Sequence, residues 1–557
     1  MSIPAAPAVG QDAGHPVTGG ALVARSLKRH GAEFLFGLPD TTILGILDAV
    51  YAEPSIRYIS VRHEQVASMM ADGFARASGK PGVCISQCGP GALNLLYGVA
   101  CAFKDSIPVI AITGNIDSRY IGRDTWHDID VAGIFAPVTK WSTRVTDTRD
   151  IPAAMDYAFQ LAMSGRPGPV HINIPIDVQN RKVTGLSVER AAADGNSDLP
   201  ALAIDDIDRA VRFLAAAERP VILAGGGVLW ARATAALTAF AERTAIPVIV
   251  TDTARGAIPE THPQALGPSG FFGSPTATTA LREADVIFGV GTRFPDNATN
   301  KWQDVNPAAT IIQNNIDPAE IGRHLPAAVG IVADAGRCLE AMLDRWETLR
   351  PEQPADRAGR TAALKEAVEA DRVAALATPS GTADRIPIQD MTRELAAILD
   401  DDTVVVMDGG IFEVTAGRMA FRRPRSHFSS SGLGVMGYGL AGAMGVKLAL
   451  PDRRVVVVSG DGGFAMVSQD LETAVRANIP LVVVIHNNNA FGAPRGHQQR
   501  SYGGRLIGVE HANPDFAELA RLYGAEGRTV RAIGELRPAL EELLKSERVG
   551  VIEVHGE

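Results

Sequence analysis

Four consecutive valines, Val455 to Val458, set the terms for how this chain can fold. An apolar, β-branched run without polar alternation makes a strand covered on both faces, as in the middle of a parallel sheet. The run ends at a turn, Gly460-Asp461-Gly462. From Met466 to Ala477 apolar residues recur at helical spacing, which predicts a helix. Pro480 then precedes a second apolar strand, Leu481 to Ile485, ending in Asn487-Asn488-Asn489. The stretch is one β-α-β unit with oxygen-bearing side chains at the carboxyl ends of both strands. Open α/β sheets bind ligands at that edge.

Asp461 offers a carboxylate and Asn488 an amide oxygen, and a backbone carbonyl near Ala490 adds a third oxygen. Hard oxygen ligands that leave coordination positions free suit Mg2+ holding a diphosphate. Gly460 and Gly462 let the backbone approach phosphate oxygens. Alone, the GDG reads as an ordinary turn and the Asn pair as a loop. Together, at strand ends one helix apart, they read as a site. The arrangement resembles the thiamine-diphosphate motif, GDG followed by NN. That resemblance implies Asp461, Asn488 and the Ala490 carbonyl as metal ligands, with Gly460, Gly462 and Gly463 beside the diphosphate.

At 557 residues the chain has room for about three domains. A formal net charge of −10 leaves no basic footprint for nucleic acid. No apolar run is long enough to span a bilayer. The N-terminus lacks a basic start followed by an apolar core, so a mobile tail is expected there rather than a signal peptide. Cys84, Cys88, Cys101 and Cys338 form neither a zinc spacing nor a disulfide framework, which fits a reducing cytoplasm.

The first domain is expected over residues 1–185, with alternating strands and helices from Val17 to Gln179. Strand Ile56 to Val61 delivers Arg62-His63-Glu64-Gln65 to its carboxyl end, and a helix follows to Ser78. Strand Gly82 to Gln87 ends in Cys88-Gly89-Pro90-Gly91, and strand Val109 to Thr113 at Gly114-Asn115. Such alternation predicts a parallel sheet covered on both faces. A glutamate opening a helix commonly does no more than stabilise its dipole. Here it sits in VRHEQVASMMADGFARASGKPGVCISQCGPGALN. This segment resembles the first domain of the acetolactate synthase/pyruvate oxidase/2-oxoacid decarboxylase branch of thiamine-diphosphate enzymes. The resemblance places Glu64 against N1′ of the cofactor's aminopyrimidine, where a carboxylate favours the imino tautomer and so the loss of the C2 proton. The segment Trp126 to Ser142 follows the same family. His127 stands where a Gln is common; it is a proton donor, a substrate contact or a structural histidine.

Residues Asn180 to Pro200 read as a polar linker, and a middle domain is expected over residues 200–346. Its Gly225-Gly226-Gly227 is incomplete as a dinucleotide fingerprint. GTRFPDNATN and NIDPAEIGR resemble the middle domain of acetolactate synthases, which binds FAD and supplies an arginine to the substrate channel, here Arg293. Asn297 stands where a second Arg is usual, which counts against FAD. Arg350 to Arg385 is charged and proline-punctuated, a second linker with helical content.

The last domain is expected over residues 386–557. Strand Thr403 to Met407 leads to Asp408 and Gly409, placed on the diphosphate side. SSSGLGVMGYGLAGAMG, Ser429 to Gly445, again resembles the family: Gly434 would lend its carbonyl to the 4′-amino group, and Met436 would wedge between the two cofactor rings. Beyond Phe491 the likeness loosens. His497 occupies the position of a substrate-selecting Trp, and it lines either the substrate mouth or a solvated loop. No long C-terminal lid is expected after Val554.

The expected architecture is therefore three doubly wound α/β domains with parallel sheets: pyrimidine-binding, middle and diphosphate-binding. The resemblance implies an acetolactate synthase-like carboligase or transferase using thiamine diphosphate and Mg2+ on a 2-oxoacid. It further implies a homodimer or homotetramer with active sites between subunits, without nucleic acid or membrane partners. The alternatives are a decarboxylase or a 2-hydroxyacyl or hydroxyketone lyase on the same scaffold, a cofactor-binding protein without turnover, and, remotely, an NAD-dependent enzyme.

Overall fold

The computed structural model describes residues 15–185, 201–377, 385–411 and 416–557. The expected N-terminal tail and most of the first linker lie outside them. The expected three-domain α/β architecture is present: each domain carries a six-stranded parallel sheet flanked by helices. Among the described residues no helix is long and apolar enough to cross a membrane, and all four cysteines are free and buried.

With strands numbered within each domain in chain order, the first and last sheets share the order 2-1-3-4-6-5, whereas the middle sheet runs 3-2-1-4-5-6. In each, the order reverses beside the first strand, and the crevice outside that point is where such sheets take ligands. In the last domain it lies between Thr403–Met407 and Arg454–Gly460. Asp408 and Asp461 therefore stand on its two rims. In the middle domain it lies between Pro220–Ala224 and Val286–Val290, which end at Gly225 and Gly291.

The first and last domains share one continuous apolar core, in which Phe36, Met70 and Leu95 join Leu440, Met444 and Phe464. They meet through equivalent helices, Glu64–Ser78 and Tyr438–Ala449, each leading from the second to the third strand of its sheet. A Cβ at Gly73 would run into the Gly442 carbonyl, so the close approach depends on that glycine. Beside the crossing, the Tyr438 hydroxyl donates to Asp72 at 2.6 Å, and Arg76 pairs with Asp72 and Asp105 at 2.6 and 2.8 Å. Each charge buried there has an opposite partner, as desolvation requires.

The middle domain has its own cores. Buried polar contacts tie it to its neighbours: Arg255 pairs with Glu260 at 2.6 Å and donates to the Met419 carbonyl, and Ser429 donates to Asp252. The charged stretch read as a second linker holds helix Arg357–Leu376. It packs on the middle domain, with Arg357 donating to the carbonyls of Leu214, Ala215 and Ala217.

The β-α-β unit differs from expectation in one respect. Helix begins at Asp461 rather than Met466, over Asp461–Ala465, breaks at Met466–Val467, and resumes through a 3-10 turn into Leu471–Arg476. The break lies where the chain bonds to the first domain: Gln65 donates to the Met466 carbonyl at 3.3 Å, and the Arg62 N–H to Asp470 at 2.8 Å.

Candidate functional site

The parallel pairing of Arg454–Gly460 with Val482–Asn487 brings the GDG and Asn segments to the same sheet edge. Asp461 is buried, 2% exposed. Its Oδ1 accepts the Gly462 N–H at 2.8 Å, and its Oδ2 accepts the Ala490 N–H at 3.2 Å. Ala490 is itself buried in an isolated antiparallel bridge to Glu510. Asn488 is half-buried, and its amide donates to the Glu557 carbonyl at 3.3 Å, which leaves its own Oδ1 as an oxygen ligand.

The glycines around Asp461 do different things. A Cβ on Gly462 would stand 2.6 Å from the Phe491 ring and 3.3 Å from the Met436 methyl, so Met436 lies directly over the GDG turn. A Cβ on Gly463 would meet the Asp408 carboxylate. Around Gly460 and Gly434, by contrast, a Cβ would meet nothing within 4 Å, so both backbones face open space. Gly434 has φ +66°, and its N–H donates to the Ser430 carbonyl at 2.6 Å. A Cβ on Gly409 would lie 2.8 Å from the Gly434 carbonyl oxygen, which brings the Asp408-Gly409 turn beside the 430–436 loop.

Asp408 is buried and its carboxylate is taken: Ser459 Oγ donates at 2.6 Å and the Gly409 N–H at 2.7 Å. Burial pushes its pKa above the usual carboxylate value, against those hydrogen bonds. Its place is to hold the first and third strand ends together at the switch point.

Glu64 opens its helix almost fully buried, and its Oε2 accepts the Asn94 amide at 3.0 Å. A Cβ on Gly91 would sit 2.9 Å from Glu64 Oε1, so the GPG turn can lie close against the carboxylate only because it carries a glycine there. Among the described residues no hydrogen bond joins Glu64 to Asp461, Asn488, Gly434 or Met436; its chain is linked to the post-GDG segment through Gln65 and Arg62 instead. His127 has φ +70°, a costly conformation for a residue with a side chain, and packs on Gly89. Trp126 beside it is 84% exposed.

Arg293 and His497 lie elsewhere. Arg293 donates to the Lys104 carbonyl at 2.7 Å and lines a cleft of about 400 Å3 at the middle sheet's switch point. Arg166 shares that cleft, and burial together with Arg293 pulls its pKa down to about 10. Ser431 and Gly432 line it too, so the cleft reaches the loop that carries Gly434. His497 lies on the exposed helix Gly492–Ser501, edge-on to Tyr502.

Sequence reasoning missed two side chains at Asp461. Asn513 Nδ2 donates to Asp461 Oδ2 at 2.8 Å, and His511 Nε2 lies 3.3 Å from the same oxygen. It also missed Asp470, whose burial raises its pKa to about 6. No spacing rule points to Asn513, which follows Asp461 by 52 residues.

The residues present fit the diphosphate and metal of the sequence motif: open backbone at Gly460, and a buried carboxylate between two strand ends. Among the described residues no three or more His, Cys, Asp or Glu are placed so as to hold a metal ion, so the fit is to a site built on one carboxylate, an amide and backbone. The cleft's buried, unpartnered Asn297 and Asn314 Oδ1 atoms suit a ligand that supplies hydrogen-bond donors.

Comparison with known proteins supports the thiamine diphosphate part of this reading. Residues 17–134 match the thiamine pyrophosphate enzyme N-terminal TPP binding domain, residues 207–342 the central domain, and residues 408–554 the C-terminal TPP binding domain. The chain is 36% identical to the probable acetolactate synthase large subunit of Methanocaldococcus jannaschii, covering 96% of this chain and 91% of the relative. It is 37% identical to the acetolactate synthase isozyme 3 large subunit of Escherichia coli K12, covering 96% and 93%. Against the acetolactate synthase large subunit of Corynebacterium glutamicum it is 35% identical, covering 94% and 84%. With all three domains matched in order and such relatives along nearly its whole length, the chain belongs to the thiamine pyrophosphate enzyme family.

Proposed function

We propose that this chain is a thiamine-diphosphate- and Mg2+-dependent carboligase that joins a 2-oxoacid-derived acyl unit to a second carbonyl compound, in the manner of an acetolactate synthase. The observation that carries the reading is the gathering of Asp461, Ala490, Gly462 and Met436 at one switch point, facing open backbone at Gly460 and Gly434. Full-length similarity to acetolactate synthase large subunits supports it.

Bound thiamine diphosphate supplies a carbon nucleophile and an electron sink for the bond that breaks. The chain supplies the rest. Asp461, Asn488 and the Ala490 carbonyl hold Mg2+, while Gly460, Gly462 and Gly463 let the backbone approach the diphosphate. The Gly434 carbonyl would accept from the 4′-amino group of the bound cofactor, and Met436, lying over the GDG turn, would pack between its two rings. Glu64 holds a proton at N1′, and its near-complete burial keeps water from that contact. His127 and Arg293 are assigned to the substrate, Arg293 as a fork for a carboxylate that reaches the mouth of its cleft.

The assembly in this reading is a homodimer or a tetramer of dimers, with Glu64 of one copy facing the metal motif of another. Support comes from large apolar side chains left exposed near both motifs: Leu93 and Trp126 on the first domain, and Leu433, Met466 and Phe491 on the last. The place of action is the cytoplasm, in keeping with four buried free thiols.

FAD is the candidate for the middle-domain cleft, with Arg166 for its phosphates. Asn297 leaves that site one cation short of the family pattern. The visible spectrum of the purified protein decides the point: a flavin band supports the assignment and its absence removes it.

The function is tested by incubating the protein with pyruvate, thiamine diphosphate and Mg2+, alone and with a second 2-oxoacid or an aldehyde. A C–C-ligated product is expected with release of CO2: a hydroxyketo acid from a 2-oxoacid acceptor, a hydroxyketone from an aldehyde. Free aldehyde without ligated product would replace the reading with a decarboxylase or lyase, and no consumption of any donor would leave a binding protein.

A further inference from the structure

We propose that Asn513 is the positioning residue that fixes the metal-ligating geometry of Asp461 and Asn488. The inference rests on the thiamine-diphosphate reading above. It goes beyond it in assigning a role to a side chain outside the β-α-β unit.

Asn513 spends its one amide nitrogen on two partners. Nδ2 donates to Asp461 Oδ2 at 2.8 Å and to Asn487 Oδ1 at 2.9 Å. An amide nitrogen carries two hydrogens, so both are used. Asp461 stands at the end of one strand and Asn487 at the end of its neighbour, directly before Asn488. A single side chain therefore spans the two strand ends that carry the metal ligands.

The bonds also sort the two oxygens of Asp461. Each carboxylate oxygen has about two acceptor positions. Oδ2 receives Asn513 and the Ala490 N–H, with His511 Nε2 3.3 Å away. Among the described residues Oδ1 receives only the Gly462 N–H. The free acceptor position is on Oδ1, which makes Asp461 a one-oxygen ligand, the mode that leaves Mg2+ positions for phosphate oxygens and water.

Asn513 is itself held from both sides. Upstream, the His511 N–H donates to the Asn489 carbonyl at 3.0 Å. Downstream, Glu553 Oε2 accepts the Phe516 and Ala517 N–H groups at 2.8 and 3.3 Å, while its Oε1 accepts the Asn487 amide at 2.6 Å. The network closes on itself: Asp461, Asn513, Asn487, Glu553, and the start of helix Phe516–Leu522. Outer partners of this kind orient a ligand before the metal arrives, and their loss typically weakens metal affinity 10–100-fold.

The test uses the full-length protein and Asn513→Ala. Thiamine diphosphate binding is followed by calorimetry across a Mg2+ titration, without substrate, and the apoprotein is melted in parallel. The Mg2+ concentration for half-maximal binding is expected to rise about 10–100-fold, and the apparent KM for Mg2+ to rise by a larger factor than kcat falls. A lowered apoprotein melting temperature with unchanged Mg2+ dependence would mean a purely structural role and would overturn the proposal. If the alanine variant does not fold, Asn513→Ser, which keeps one donor, is read by the same criteria. A wild-type protein that binds no thiamine diphosphate with Mg2+ present would instead remove the cofactor reading; normal wild-type binding with an unaffected variant removes only this inference.

Discussion

Asp461 accepts the backbone N–H of Ala490 at 3.2 Å, across 29 residues of sequence. The bond joins the ends of two neighbouring strands and brings the carboxylate and the Ala490 backbone, two of the three proposed metal ligands, together before any cation binds. Asp461→Ala removes the charged ligand and leaves the Ala490 N–H and the Asn513 amide without their acceptor. Thiamine diphosphate affinity at fixed Mg2+ is expected to fall by at least about 100-fold, as read by calorimetry. Affinity within tenfold of wild type would place the metal elsewhere.

The space beside Gly462 is filled by Phe491 and Met436, at 2.6 and 3.3 Å from where a Cβ would be. Gly462→Ala therefore drives the Phe491 ring aside and crowds the Met436 methyl on the turn. The expected result is a kcat at least ~10-fold lower, with melting changed by no more than a few degrees, since the clash is with movable side chains. A steady-state assay beside a thermal melt checks it.

Asp470 is a buried acid with a pKa of about 6, raised chiefly by desolvation; its Oδ2 is unpartnered. A carboxyl group with a folded pKa above its unfolded value binds protons more tightly in the native state. It costs no stability below about pH 3.8, and stability falls as pH rises through about 6. At ~1.4 kcal/mol per tenfold change in proton affinity, the cost at neutral pH is roughly 3 kcal/mol. Asp470→Asn keeps an oxygen for the Arg62 N–H and the Thr473 hydroxyl. It should raise the melting temperature by a few degrees at pH 7.5 and not at pH 4, measured by calorimetry at both.

At the crossing of the two equivalent helices, a Cβ on Gly73 meets the Gly442 carbonyl, which is backbone and cannot rotate away. Gly73→Ala is expected to cost about 3 kcal/mol, the upper end for overpacking. Thermal unfolding should show a drop of several degrees; an unchanged melt would mean that the helices separate without penalty.

Interior strands announce themselves in this sequence. Val286–Val290, Thr403–Met407 and the strand beginning in the four valines are covered on both faces and read as apolar runs. The strands that escape are mostly at sheet edges: Ser142–Arg144, Ala265–Pro268, Val329–Val332, His427–Ser429 and Glu526–Val530. With a partner on one side only, such strands are short or carry polar residues, and periodicity has little to detect. The helix after Asp461 was misplaced for another reason. Gly462 and Gly463 add nothing to an apolar pattern, and the break at Met466 is fixed by bonds to Gln65 and Arg62, some 400 positions away. At the site, the residues belonging to local motifs were legible. Asn513 was not, because its role arises only when the 509–511 segment bridges back to 489–491.

The central claim is that Glu64 governs the proton at N1′ of a coenzyme gripped at Asp461. The most direct measurement is hydrogen–deuterium exchange at C2 of protein-bound thiamine diphosphate, comparing wild type with Glu64→Gln by quenched-flow NMR. The account predicts exchange slowed by about 100-fold or more, with coenzyme affinity within tenfold of wild type. Equal exchange rates in the two proteins would contradict it.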